Sequence, residues 1–156
     1  MGTVKAQRFP VTMHVRGDGL VATAPAKEEL RLVGGSAERL VAEPDWSAEE
    51  LLVAAVAASY ARTLCAVAER MSLELRVLDV AAVGHVSVGE SGEYGFVAIE
   101  LTVTVDAEGG ATERVYQAAE VARGRARVLQ ALELPVRLRV RQPGSRLVDE
   151  REWAPA

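Results

Sequence analysis

The sequence predicts an α+β domain, and three observations carry that prediction. Short apolar runs broken by turn residues fill positions 4–33; a long helix that is apolar almost throughout follows; two alternating strands, a second helix and a last strand complete the order. A chain of 156 residues holds one domain with a real core, here residues 1–156, and not two comfortable ones.

"FPVTMHV", "LVATAP" and "LRLVGG" read as an antiparallel meander, with Arg16–Gly19 ("RGDG") as a hairpin turn. "GGSAERLVAEPDW" reads as a loop. Ser47, with Glu50 three residues on, makes a capping box, so a helix starts near Ala48 and runs to about Met71. Its stretch Leu51–Arg70, "LLVAAVAASYARTLCAVAER", has no glycine, no proline and no charge before Arg62. Such a helix must be buried on every side. One small domain has too little material for that, so the expected form is an obligate homodimer in which a second copy covers the rest.

Beyond the helix, "LELRVLDVAAVGHVSV" and "YGFVAIELTVTV" are two strands joined by the hairpin loop "GESGE". In the second, Val97, Ile99, Leu101, Val103 and Val105 alternate with Ala98, Glu100, Thr102 and Thr104, giving an inner and an outer face. Thr112 is placed to cap a second helix whose inner stripe is Val115, Ala118, Ala119, Ala122, Ala126 and Leu129, with Pro135 as its stop. "VRLRVR" alternates Val136, Leu138 and Val140 with three arginines, again a one-faced strand. From Gln142 onward the periodicity is weak.

Apolar residues make up 49% and aromatic ones only 4%, so the core is built from Ala, Val and Leu rather than rings. A net charge of −4 argues against nucleic acid as a partner. The single cysteine excludes an internal disulfide framework and a multi-cysteine zinc site, and points to a reducing cytoplasm. His14 and His85 are too few and too scattered for a metal site. No glycine-rich phosphate loop or dinucleotide fingerprint is present, so no cofactor is expected. "MGTVKAQRFP" lacks the apolar stretch of a signal peptide, and the uncharged run Leu51–Ala61 falls short of the about 18 residues that span a bilayer. The expectation is a cytoplasmic protein without membrane contact.

Four residues are candidates for chemistry. Cys65 lies well past the favourable helix N-terminus, with Arg62 as its local cation, and reads as a small buried hydrophobe. Ser59 sits mid-helix, where serine commonly bonds back to the preceding turn; as a nucleophile it needs a base that the spacing does not supply. Glu49 complements the helix dipole in the first turn, and Arg16 is a turn residue.

"SAEELLVAAVAASYARTLCAVAERMSLELRV" resembles the corresponding segment of the osmotically inducible protein C and organic hydroperoxide resistance (OsmC/Ohr) superfamily. The likeness rests on Glu49-Glu50-Leu51-Leu52, Ala57-Ala58, Thr63-Leu64 and the "AERMSLEL" exit into a strand. The resemblance implies an OsmC-like, intertwined homodimer in which two β-sheets wrap long central helices. It also implies reduction of organic hydroperoxides by a thiolate, which attacks the O–O bond, becomes a sulfenic acid and condenses with a second cysteine. An arginine and a glutamate hold that thiol ionised.

Position by position, the glutamate falls on Glu49, the arginine on Arg16, the attacking cysteine on Ser59 and the second cysteine on Ala126. Both reactive thiols are therefore missing. A serine hydroxyl is not appreciably ionised at neutral pH and forms no sulfenic acid. Cys65 is displaced from Ser59 by about 9 Å along the axis and about 120° around it. The reading is an OsmC-like protein without the two-cysteine mechanism that binds a small lipophilic molecule at the dimer interface. The alternative is a single-cysteine hydroperoxide reductase that uses Cys65 and an external thiol.

Overall fold

The structure, a computed structural model, describes residues 6–17, 19–27, 29–32, 46–88 and 92–143. The expected loop over 34–45, the middle of the "GESGE" hairpin and the tail beyond 143 lie outside the described residues. The chain runs β1 (Gln7–Arg16), β2 (Gly19–Thr23), β3 (Leu30–Leu32), α1 (Ala48–Arg70), β4 (Leu75–Val88), β5 (Tyr94–Ala107), α2 (Thr112–Arg125), α3 (Arg127–Ala131) and β6 (Val136–Arg141). The α+β reading and the order of elements hold.

The strands form a single six-stranded sheet in the order β3-β2-β1-β4-β5-β6. Neighbours joined by hairpins pair antiparallel, whereas β5 and β6 pair in parallel because α2 and α3 carry the chain back between them. Alternation then sorts the two faces. Val11, Met13, Val80, Ala82, Ile99, Leu101, Val103, Val105, Leu138 and Val140 are buried on the inner face. Across it lies α1, packed on β1 and β4, with α2 beside α1. The core is the layer between.

The turn of the first hairpin requires Gly17, whose φ of +61° lies in the left-handed region. Gly84, in the middle of β4, answers a different need. A Cβ there would stand 2.5 Å from Phe96 Cε1 and 2.7 Å from Val53 Cγ2. Its absence lets the α1 side chain and the β5 ring close over the strand, with Phe9 as a tilted neighbour of Phe96 at 6.3 Å.

The capping box of α1 is formed as expected. Glu50 N–H donates to Ser47 Oγ at 3.2 Å, and Ser47 N–H donates to Glu50 Oε2 at 2.8 Å. Ten residues of the helix are buried, among them Val53, Val56, Tyr60, Leu64 and Val67. The expectation of burial on every side is not met within one chain: Ala55, Arg62 and Ala66 are exposed, and Leu51, Leu52 and Ser59 are half-buried. These positions follow one helical stripe. Contrary to the expectation from its uncharged run, α1 is long and apolar enough to cross a membrane, yet 56% of its most apolar 18 residues is buried inside the fold, as in a core helix.

Three local expectations are corrected. Thr112 does not cap the second helix: Ala111 is its N-cap, no side chain caps it, and the Thr112 hydroxyl donates to Gln142 Oε1 at 3.0 Å. That helix does not run to Pro135 either. It breaks at Ala126, whose ψ of 107° is extended, resumes as α3 and ends before Leu132. Val97 does not join the inner face. The β4–β5 register passes from His85↔Ala98 to Val86↔Phe96, leaving Val97 as the extra residue of a bulge, 42% exposed.

Gly84→Ala is expected to lower unfolding free energy by about 1–3 kcal/mol, because Val53 and Phe96 must both give way. Chemical denaturation against the unaltered chain reads this directly.

Candidate functional site

Ser59 projects from the half-open stripe of α1 toward the α2–α3 junction. Its Oγ accepts the Val128 backbone N–H at 3.3 Å. Val128 is the second residue of α3, a helix whose N-cap, Ala126, has no side chain able to cap it. The first N–H groups of any helix lack intrahelical acceptors, and here the acceptor comes from a different helix. Ala126 itself is fully buried. The structure therefore sets Ser59 against the segment that Ala126 opens. Around the serine, Thr63 Oγ1 donates to the Ser59 carbonyl at 2.7 Å, and the Tyr60 hydroxyl donates to the Ala119 carbonyl at 2.9 Å. Burial pushes the Tyr60 phenol well above its ordinary pKa, while Arg123 nearby lowers it by a smaller amount. The tyrosine is a structural tie between α1 and α2.

Glu49 and Arg16 do not join this group. Glu49 is half-buried in the first turn of α1, ten residues and therefore about 15 Å along the axis from Ser59. Arg16, exposed, ends β1 opposite Gly19. The hairpin it belongs to meets the other end of α1: Gly17 lines a cavity together with Cys65, Ala68 and Glu69. Cys65 is 16 residues beyond Glu49, roughly 24 Å along the helix. Within one chain the four positions implied by the resemblance form one contact, Ser59 with the segment opened by Ala126, and two isolated residues.

Cys65 is half-buried, and its thiol pKa is raised. Burial contributes most, the Glu69 carboxylate adds to it, and the backbone hydrogen bond and Arg62 oppose it less strongly. A thiol of this kind is protonated at neutral pH and a poor nucleophile.

Both histidines have strand partners on the outer face of the sheet. His14 Nδ1 donates to Asp79 Oδ1 at 2.6 Å, which leaves Nε2 to face Thr23 Oγ1 at 3.3 Å. His85 Nε2 lies 3.4 Å from Glu100 Oε1, which Arg137 also approaches, at 3.6 Å. Among the described residues, no group of three or more His, Cys, Asp or Glu side chains could hold a metal ion. The Val128 N–H and the cavity beside Cys65 had no sequence signal; a backbone donor and a hollow between three elements leave no mark on composition.

A one-sheet α+β chain with an apolar central helix, carrying its candidate residues at a helix–helix junction, is the class of protein that fold and site define. The family model of the OsmC-like protein matches residues 42–141, and the chain belongs to that family. A search of curated proteins gives no match. Among solved structures, an OsmC-like hydroperoxide resistance protein from Jannaschia sp. superposes with a TM-score of 0.63 at 16% identity, covering 92% of this chain and 98% of that one. OsmC-like proteins from Vibrio cholerae and Mycoplasma pneumoniae each give 0.58, at 14% and 15% identity; each covers 90% of this chain, and 99% and 97% respectively of their own. At these identities the likeness is one of fold.

Ser59→Ala removes the acceptor of the Val128 N–H and is expected to cost about 1 kcal/mol in denaturant unfolding, with amide exchange accelerated in α3. For Cys65, alkylation by iodoacetamide is expected to rise with pH on a curve displaced to the alkaline side of free cysteine; Glu69→Gln should bring it part of the way back, since Glu69 disfavours the thiolate.

Proposed function

We propose that this OsmC-like chain does not carry out two-cysteine hydroperoxide reduction and instead works as a cytoplasmic homodimer that holds a small lipophilic molecule at its interface. The observation that carries the reading is the Ser59 hydroxyl, seated on the α3 N-terminus where the family's resemblance expects an attacking sulfur. An alcohol there cannot form a sulfenic acid, and Ala126 offers no second thiol. The contact with Val128 gives the serine a structural task.

The dimer reading is supported by the open stripe of α1. Leu51, Leu52, Ala55 and Ala66 leave apolar surface uncovered on a helix otherwise packed on its sheet. The half-buried Val121 and Val128 of α2 and α3 add to it. A second copy packed across this stripe, with the two α1 helices antiparallel about a two-fold axis, would bring its hairpin toward the Glu49 end of the first copy. Such an arrangement would let Arg16 of one copy approach Glu49 of the other, whereas within one chain the neighbouring Gly17 lies by Cys65, roughly 24 Å along α1 from Glu49. Such an interface is apolar at its centre and suits a lipophilic guest. The raised pKa of Cys65 weighs against the single-cysteine alternative.

Purified protein with a dithiol is expected to consume cumene hydroperoxide no faster than the dithiol alone. A Cys65-dependent rate well above that background, abolished by Cys65→Ser, would overturn the reading in favour of the alternative. Native mass spectrometry is expected to report a dimer that carries additional small-molecule mass; a stable monomer at micromolar concentration would remove the interface and its guest together.

A further inference from the structure

We infer that the cavity beside Cys65 is a second binding site, formed within one chain and suited to a small organic cation with an apolar body. Every residue of its lining comes from one chain, and none from the α2–α3 junction. Its volume of about 410 Å³ lies at the lower end of the range of small-molecule pockets, about 300–1,000 Å³. Three elements converge on it: the β1–β2 hairpin through Val15 and Gly17, the C-terminal half of α1, and the start of β4. Its floor is apolar, made by Val15, Ala68, Leu73 and Leu78, the last three buried. Cys65 stands in the wall as a neutral, polarizable group.

The polar part of the lining has one sign in excess. Glu69 and Glu74 border the cavity, and Arg76 is the cation among them. Arg76 Nη2 donates to Glu108 Oε1 at 2.7 Å, so its charge is matched by a third carboxylate. That contact and the charge of Arg76 hold Glu108 below the usual carboxylate range. Arg62 stands one turn before Cys65, but at the thiol its influence is smaller than that of Glu69. An apolar floor beneath two carboxylates that Arg76 does not neutralise favours an ammonium group carried on a hydrocarbon body. It disfavours an anion of the same size.

Cys65 provides the reporter. Alkylation by iodoacetamide, a neutral reagent, is followed by intact mass in the presence of benzyltrimethylammonium, benzyl alcohol or benzenesulfonate. The cation is expected to slow the reaction saturably, and benzenesulfonate to have no such effect. Glu69→Gln, at an exposed position, should raise the half-saturating cation concentration about threefold to fivefold. Arg76→Gln should lower it by a similar factor. Because the two variants move the same readout in opposite directions, a general loss of folding cannot imitate both, and circular dichroism checks each. No protection by the cation, equal protection by the sulfonate, or an unchanged cation response in both variants would overturn the site. None of these outcomes decides the hydroperoxide assay, which follows peroxide consumption in the absence of any cation.

Discussion

The fold depends on how α1 is buried. Ala54, Ala57, Ala58, Ala61 and Ala68 keep the helix narrow where it packs, so the sheet on one side and α2 on another can approach closely. Val53, Val56, Leu64 and Val67 fill the space between, and the only large polar side chain admitted, Tyr60, satisfies its hydroxyl on the Ala119 carbonyl. A phenol buried without that partner would cost several times what the bond itself contributes. The tyrosine thus fixes how far α2 is slid along α1. The α2–α3 break at Ala126 then falls beside Ser59.

The serine turns a backbone irregularity into a stable feature. An extended residue between two helices leaves the first donors of the second one without acceptors, and a five-residue helix cannot stabilise itself. The hydroxyl supplies one acceptor from outside. The helix terminus would stabilise an anion at the same spot, but an alcohol does not ionise to exploit that field. Cys65, the one group in the chain with sulfur nucleophile chemistry, stands elsewhere, in surroundings that favour its proton. The Ser59 contact and the thiol are at different places on the helix.

The two faces of the sheet divide the labour of the chain. The inner face is dry and apolar, with Gly84 as the gap that admits Phe96 and Val53. On the outer face, polar residues pair across strands, with His14 linked to Asp79 and Thr23, and His85 sharing Glu100 with Arg137. Such pairs help hold register, because a shift by one residue would carry every one of them to the inner face.

By itself the sequence determined the elements. Strict alternation in "VRLRVR" located β6 to the residue, and Ser47 with Glu50 located the start of α1, because both signals act over a few neighbouring residues and leave little to the rest of the chain. It also determined that neither Ser59 nor Ala126 carries a thiol, since the identity of a residue is a covalent fact. Tertiary structure decided the rest. Thr112 has the right chemistry for a cap yet turns to Gln142; Val97 has the right parity yet bulges out; the second helix breaks ahead of its proline. For Thr112 and for the helix break a partner distant in sequence, Gln142 or Ser59, supplies a hydrogen bond that competes with a local preference of similar size. The cavity beside Cys65 and the contact between Ser59 and Val128 are products of packing alone, because a hollow and a backbone donor acquire their meaning only when separate segments meet.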